Sequence, residues 1–454
     1  MTVHDLVVIG GGIGGLTVAW EAARAGRDVV VLESDDQIGG MLRRGTIAGV
    51  GLDVGAESFA IRTSGVADLV ADARLPVQLV EPRRGGAHLA FRGAFGRTRR
   101  APLPRRALIG LPADPTASDV VRILGRGGAR RAAQERALPG HTGDEPSLAA
   151  LATARFGPAV TARLVEPLCR SVYSQDAGSV RLSALHPALW AEFLVRGSLT
   201  AAVDALAPAS QAGSAVRGVE GGLWRLATEL QAAALRAGAA IRTGAHVTAV
   251  SRSATAVEVS ITGAPTLAAR DVVIATGPAA AARLLGVDIT PADPVRLTVA
   301  EIVAPALAAR PIGSGVIVAP DVATPAKALT HVDAKWDWPS AALPPGSHVV
   351  RLSARDAAAG GLDDEAGVAR AVRTLTGVAV SPAAVRSVTA VTWPDAVCPP
   401  AARTALLAAA TPGIHVAGAV AAGTGLASVI PHARALAADL IARPTPHEGE
   451  RHVR

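Results

Sequence analysis

One short stretch limits the fold of this chain more than any other: Gly10-Gly11-Gly12-Ile13-Gly14-Gly15, set directly after an apolar run at residues 6–9. The apolar run reads as a buried strand, and the spacing from Ile13 to about Arg24 reads as a helix that Gly26 ends. Residues 29–32 form a second apolar strand, which completes a βαβ unit. Each glycine of the turn has a task. Gly10 permits the tight turn, Gly12 lets backbone approach a pyrophosphate, and Gly15 lets helix and strand pack closely. The helix N-terminus supplies free amides and the positive end of its dipole to phosphates. Glu33 ends the second strand, where an acid bonds a ribose hydroxyl. A glycine-rich turn with no ligand would have no use for that acid. The pattern therefore predicts dinucleotide binding by Gly10, Gly11, Gly12, Ile13, Gly14, Gly15 and Glu33.

The rest of the 454 residues predicts two or three structural units. Residues from about 90 to 214 show helical spacing, mainly at 148–168 and 185–206, broken by Pro and Gly. After Val219 come a long helix, strands at 240–241, 247–250, 257–261 and 272–275, and short β-like runs across 295–352. A helix at 364–375, a strand at 414–417 and a helix from about Leu426 follow. Residues after Arg443 are polar and read as a loose tail. The expected architecture is α/β: a discontinuous Rossmann-type domain (1–57, 215–290, 388–454), a β-sheet substrate domain (58–90, 291–387) and a mostly helical insertion (91–214). Residues 404–431 carry no Asp, Glu, Lys or Arg, but Pro412, Gly413, Gly418, Gly423 and Gly425 interrupt them, so no membrane span is expected.

Two distant cysteines, Cys169 and Cys398, give no zinc spacing and no CxxC pair, so no metal site is expected and a reduced cytoplasmic setting fits. No secretory leader is read at the N-terminus. The formal net charge is +7, yet residues 83–136 hold thirteen arginines against Asp114, Asp119 and Glu135. Aromatic residues make up 3% and no nucleic-acid motif accompanies the arginines, so nucleic acid is not expected as a partner. A solvated face, an anionic small substrate and peripheral contact with a lipid surface all stay open. Of 45 basic residues only Lys327 and Lys335 are lysines, so each lysine is a candidate for a place that needs a compact ammonium. Lys327 lies in an apolar β-like run and is the catalytic and substrate-binding candidate; Lys335, beside Trp336, reads as structural.

Two further segments carry a family resemblance. They are Gly39-Gly40-Met41-Leu42-Arg43 and Asp53-Val54-Gly55-Ala56-Glu57-Ser58-Phe59. Together with Gly221-Gly222-Leu223, Val247, the strand at 272–276 and the closing Gly423-Thr424-Gly425-Leu426, the chain resembles the amine-oxidase-like FAD superfamily over nearly its whole length. The run Leu164-Val165-Glu166-Pro167-Leu168-Cys169-Arg170-Ser171-Val172-Tyr173-Ser174-Gln175-Asp176 is similar to a signature of protoporphyrinogen and coproporphyrinogen III oxidases. So is Gly313-Ser314-Gly315-Val316-Ile317-Val318 followed by Lys327, Lys335 and Trp336; the bacterial coproporphyrin-forming branch is the nearest.

The resemblance implies non-covalent FAD, three successive two-electron oxidations of a porphyrinogen in haem synthesis, and oxygen reduced to peroxide. It implies FAD contacts at Gly10 to Gly15, Glu33, Gly39, Gly40, Val54, Gly55, Ala56, Glu57, Val247, Trp393, Thr424, Gly425 and Leu426. Arg62 and the sole tyrosine, Tyr173, join Lys327 as substrate candidates. The chain departs from the family after Trp393, where Pro394-Asp395-Ala396-Val397-Cys398-Pro399-Pro400 stands, and in its closing motif. Those departures bear on the flavin ring rather than on its phosphates. The alternatives are protoporphyrinogen IX as substrate, another amine oxidase, a carotenoid desaturase, and a flavin-binding scaffold without turnover. An amine oxidase builds an aromatic cage late in the chain, and here Trp393 is the only aromatic after Trp338. Oligomeric state is left open.

Overall fold

The computed structural model describes residues 2–207, 215–355 and 360–443. The expected loose tail lies outside them, as do the ends of the 91–214 and 388–454 segments.

β1 (Val3–Ile9), α1 (Ile13–Arg24) and β2 (Val29–Leu32) form the βαβ unit, with β1 and β2 parallel. They belong to a seven-stranded sheet in the order Ala240–Arg242, β2, β1, Ala264–Ile274, Val257–Ile261, Val247–Arg252, with Ile414–Val416 also paired to Ala264–Ile274. The 264–274 strand is the spine of this lobe. Its first half pairs antiparallel with Val257–Ile261, while its second half lies parallel to both β1 and Ile414–Val416. β1 and β2 are apolar almost throughout because both faces are covered. On one face, Leu16 and Ala19 of α1 pack with Leu226 and Leu230 of helix Trp224–Arg236 and Ile430 and Ala433 of helix Leu426–Ile441. Val7, Val30 and Val272 point to the other face, among Ala281, Leu406 and Val420. Each such leucine, fully buried, contributes about 2 kcal/mol.

The second lobe is a seven-stranded sheet in the order Val385–Trp393, Val295–Val303, Ser347–Arg355, Ala328–His331, Gly315–Val318, Ala87–Arg92, Thr98–Pro102. Thr98–Pro102 carries the sheet past residue 91, and Val385–Trp393 joins it from beyond residue 387. Helix Glu365–Thr376 covers one face through Val368, Val372 and Leu375. Between residues 118 and 206 the chain is helical and packs its own core, with Phe156, Leu189 and Phe193, onto Leu89 and Phe91 of this sheet. The run through the Tyr173 signature is wound loosely, with π-helical turns at Thr161–Val165 and Cys169–Tyr173 on either side of Pro167. Pro167 has no N–H to donate, so an even α ladder cannot pass through it. Ser174, at φ +54, ends the run.

Residues 404–431 divide among helix Pro400–Ala408, strand Ile414–Val416, helix Gly418–Ala422 and the start of helix Leu426–Ile441. Among the described residues no helix is long and apolar enough to cross a membrane.

The helical segment is pinned by one buried ion pair. Arg155 donates to Glu135 from Nε (2.8 Å) and Nη2 (2.5 Å). Glu135 also accepts the Ser198 hydroxyl at 2.7 Å and the N–H groups of Leu199 (2.8 Å) and Thr200 (3.1 Å), which start helix Leu199–Leu206. Glu135 is 0% exposed and Arg155 7%. Glu135→Gln leaves the guanidinium buried without its counter-charge, so unfolding free energy is expected to fall by about 3 kcal/mol. Urea titration of the two proteins measures this; a loss within about 0.5 kcal/mol would refute the pinning role.

Candidate active site

The turn after β1 is closed by contacts that only glycine allows at two of its positions. Gly10 sits at φ +107, and a Cβ there would lie 2.7 Å from the Ala275 carbonyl oxygen; one at Gly15 would lie 2.1 Å from the Gly10 oxygen. Gly12 is the opposite case, since a Cβ there would meet nothing within 4 Å. The turn is thus packed against the sheet behind and open in front, at the N-terminus of α1. Gly39 lies against it, donating to the Gly11 carbonyl at 2.8 Å, and Gly40 approaches Gly12. Gly40, Thr424 and Gly425 are exposed on the open side. A backbone cradle free of side chains, facing unpaired helix amides, fits a pyrophosphate.

Glu33 closes the other end of this cradle. Its Oε2 accepts the Gly11 N–H at 2.7 Å, and its Oε1 accepts the Asp35 N–H at 2.9 Å. The Glu33 carbonyl accepts the Ala245 N–H at 2.8 Å, two residues before Val247, which is 5% exposed and heads strand Val247–Arg252. Leu426 opens the helix whose Val429 lies against Gly14.

The segment after Gly40 doubles back on itself. The Ala56 N–H reaches the Met41 carbonyl at 2.8 Å, and Gly55 is so close that a Cβ would lie 1.9 Å from that oxygen. Trp393 Nε1 donates to the Val54 carbonyl at 3.2 Å, and its ring lies over Gly55. Glu57 receives Lys335 Nζ at 2.5 Å and Arg351 Nη1 at 3.5 Å, while Lys335 also reaches the Ser58 hydroxyl at 3.2 Å. Burial alone would raise the Glu57 pKa, but Lys335 and Arg351 together bring it below the usual carboxylate value. Lys335, which looks structural by sequence, therefore holds the segment expected to line a cofactor ring. Its scarcity in the chain was the signal.

A second group lies where the Tyr173 signature meets the second sheet. Lys327 is 8% exposed, and its Nζ donates to the Ser174 hydroxyl at 2.6 Å; the Ser171 hydroxyl donates to the Lys327 carbonyl at 2.8 Å. Burial, then Arg355 and Arg170, push the Lys327 pKa down to about 8. Asp176 joins both arginines, at 3.0 Å to Arg355 and 3.8 Å to Arg170. Arg62 donates to the Ser428 hydroxyl, near Thr424 and Leu426, and its charge is felt by both Tyr173 and His186. Burial raises the Tyr173 pKa and Arg62 opposes it. The structure thus brings Arg62, Tyr173 and Lys327 into one neighbourhood and adds Arg170, Arg355 and His186, which sequence reading passed over.

The arginine-rich stretch serves a different end. Arg100 donates to the carbonyls of Leu375 and Thr374, Arg131 to those of Arg155 and Ala154, and Arg83 to Asp337. Among the described residues, the arginines tied to the Tyr173–Lys327 group are Arg62, Arg170 and Arg355. Cys398 is half-buried beside the first sheet's core, and burial raises its thiol pKa.

Comparison with known proteins follows the same lines. The model of the family described as flavin containing amine oxidoreductase matches residues 13–441. A coproporphyrinogen III oxidase of Mycobacterium tuberculosis is 33% identical over 233 residues, 49% of each chain. One from Mycobacterium leprae is 33% identical over 236 residues, 51% of each. The match therefore spans about half the length of these curated relatives. A structure from Exiguobacterium sp. 255-15, named provisionally as a protoporphyrinogen oxidase, superposes with TM-score 0.79 at 21% identity, covering 97% of this chain and 99% of that one. Cyclohexylamine oxidase from Brevibacterium oxydans shares the fold at TM-score 0.65 and 17% identity, covering 99% of this chain and all of that one.

Asp53 gives this site a pH dependence. Its carboxylate accepts the N–H groups of Leu223 (2.8 Å) and Trp224 (2.9 Å), at the start of helix Trp224–Arg236. Burial raises its pKa from 3.8 to about 7; those two bonds and Arg351 oppose the rise, and Glu57 adds to it. The folded state keeps the proton that the unfolded chain has released, so stability falls as pH rises from about 4 to about 7. In Asp53→Asn that slope is lost. Between pH 5 and pH 8 the wild type should lose about 2–3 kcal/mol more than the variant in urea unfolding. Equal losses would remove Asp53 as the source.

Proposed function

The chain belongs to the flavin-containing amine oxidoreductases, and from that membership we propose that it binds FAD non-covalently and oxidises coproporphyrinogen III to coproporphyrin III in haem synthesis, with oxygen reduced to hydrogen peroxide. One observation supports the substrate class above the rest. Beside the backbone cradle for a dinucleotide, the Tyr173 signature carries cations at both of its contacts: Arg62 acts on Tyr173 itself, and Lys327, with Arg170 and Arg355, meets Ser174 just after it. A porphyrinogen is a flexible macrocycle edged with propionates, and such carboxylates call for arginine and lysine. The similarity of half the chain to coproporphyrinogen III oxidases favours the tetrapropionate substrate.

Bound FAD would supply the hydride acceptor for the bridging carbons and the route for electrons to oxygen. The chain's own part is to bind and position. The amides at Gly12 and Ile13 would hold the pyrophosphate, and Glu33 the ribose, through the lone pair that Gly11, Ser34 and Asp35 leave free on Oε2. Lys335 and Arg351 hold the segment from Val54 to Glu57, and Trp393 clamps it from the other side. At neutral pH Lys327 keeps most of its protons, and an incoming carboxylate would favour the charged form further. The chemistry proposed asks for no dedicated protein base: as hydride leaves the bridging carbon the pyrrole N–H becomes acidic, and its proton passes to water.

The deciding experiment mixes the purified yellow protein anaerobically with coproporphyrinogen III and, separately, with protoporphyrinogen IX and a primary amine, and follows flavin bleaching. Fast bleaching by the tetrapropionate supports the proposal. Bleaching by protoporphyrinogen IX alone would move the substrate to the dipropionate, and bleaching by the amine alone would move the protein to amine oxidation. Lys327→Met should slow bleaching by coproporphyrinogen III or weaken its binding about tenfold while FAD stays bound. Unchanged kinetics would remove Lys327 from the site.

Glu33→Ala tests the cofactor assignment separately. Loss of a charge-assisted bond to the ribose should weaken FAD retention by roughly ten- to a hundredfold. Equilibrium dialysis against free FAD reads this directly, and undiminished retention would overturn the ribose role.

A further inference from the structure

Outside this site, three buried side chains converge on one point. His331 ends strand Ala328–His331, Asp333 lies in the helical turn Val332–Lys335, and His348 is the second residue of strand Ser347–Arg355. They are 1%, 6% and 8% exposed. Asp333 Oδ2 lies 2.8 Å from His348 Nδ1 and 3.4 Å from His331 Nε2, and the two nitrogens are 3.4 Å apart. A tetrahedral zinc with ligands at about 2.0–2.1 Å sets its donor atoms about 3.3 Å apart. Two edges of this triangle already have that length, and the third opens by about half an ångström to reach it.

The surroundings favour a cation here. Asp333 is held in place from outside: its Oδ1 accepts the Val349 N–H at 2.7 Å, and its carbonyl accepts Arg83 Nη1 at 3.1 Å. That leaves Oδ2 aimed at the two rings. The outer nitrogens, His331 Nδ1 and His348 Nε2, are buried without a partner among the described residues. As the site stands, His348 Nδ1 and Asp333 Oδ2 share a hydrogen bond at 2.8 Å, which needs a proton between them. A divalent cation would displace the protons held between these atoms, bring a lone pair of each imidazole onto itself and meet the carboxylate's charge inside the pocket.

We propose that His331, Asp333 and His348 bind a divalent transition metal of the zinc class, taken up as the chain folds, with a structural role. The metal would close the neck of the 332–347 connection, tying the end of one strand to the start of the next. That connection carries Lys335, which reaches Glu57, and Trp336, which packs among Leu52, Val54 and Val299. Clamping its neck removes the freedom of a long link that must present a lysine to the opposite lobe.

Untagged wild-type protein and the His331→Gln and His348→Gln variants, each produced in zinc-supplemented medium, are assayed for metal by mass spectrometry after purification. The wild type should retain about one zinc per chain and each variant less than about a tenth of that, with a lower unfolding temperature. Zinc absent from the wild type, or equal in all three proteins, overturns the proposal. Should both variants fail to fold, wild type produced with Co²⁺ decides: intense visible d–d bands of a tetrahedral nitrogen and oxygen site support it, and a spectrum showing only flavin overturns it.

Discussion

The joint between the two lobes rests on Glu57. Its carboxylate comes from the segment that folds back over the dinucleotide turn, while both of its cations come from the second lobe, Lys335 from the helical turn Val332–Lys335 and Arg351 from strand Ser347–Arg355. A carboxylate in this position costs several kcal/mol of lost hydration, and only cations already fixed in place offset that. The two sheets therefore cannot slide apart without stranding a charge. What lies along the joint is set by the same contact: Trp393 over Gly55 on one side, and Lys335 against Glu57 and Ser58 on the other.

The legible parts of this protein are those whose physics is local. The βαβ unit and Glu33 stand within the first thirty-three residues, and the requirement for glycine at Gly10 and Gly15 follows from backbone crowding that any such turn shares. The illegible parts depend on distant partners. Lys335 meets a residue 278 positions away, and the Ser174 and Ser171 hydroxyls that meet Lys327 lie 153 and 156 positions before it. Lysine scarcity marked both residues as unusual without saying whom they meet. The arginine count of residues 83–136 left a solvated face, an anionic substrate and a lipid surface open, and in the fold Arg100 and Arg131 are spent on helix-terminal carbonyls. Strand Thr98–Pro102 was hidden for a related reason: it is an edge strand bearing Arg99 and Arg100, without the apolar run of an interior strand.

The Tyr173 signature shows how a conspicuous sequence can be clear in identity and obscure in shape. Its helical spacing is plain, yet Pro167 makes the winding uneven, and the π-helical turns bring Ser171 and Ser174 onto Lys327. Regular α-helix would rotate those hydroxyls away by tens of degrees over the same length. The irregularity is what lets one short segment clasp a strand end.

Strand Ala264–Ile274 has a consequence in time as well as in space. It holds β1 on one side and Ile414–Val416 on the other, so the sheet under the dinucleotide turn joins residues from both ends of the sequence. On a ribosome β1 emerges early and waits while the helical segment and second sheet are synthesised. Its βαβ neighbour β2 can pair at once, but the strand beside it comes some 260 residues later and that strand's outer partner later still. Pairings this remote in sequence form slowly and leave apolar edges open to wrong partners meanwhile. Flavin capture is therefore expected late in biogenesis, and a chain stalled before residue 414 would present Val272 and Ile274 along an unpaired edge, a surface for chaperones or for aggregation.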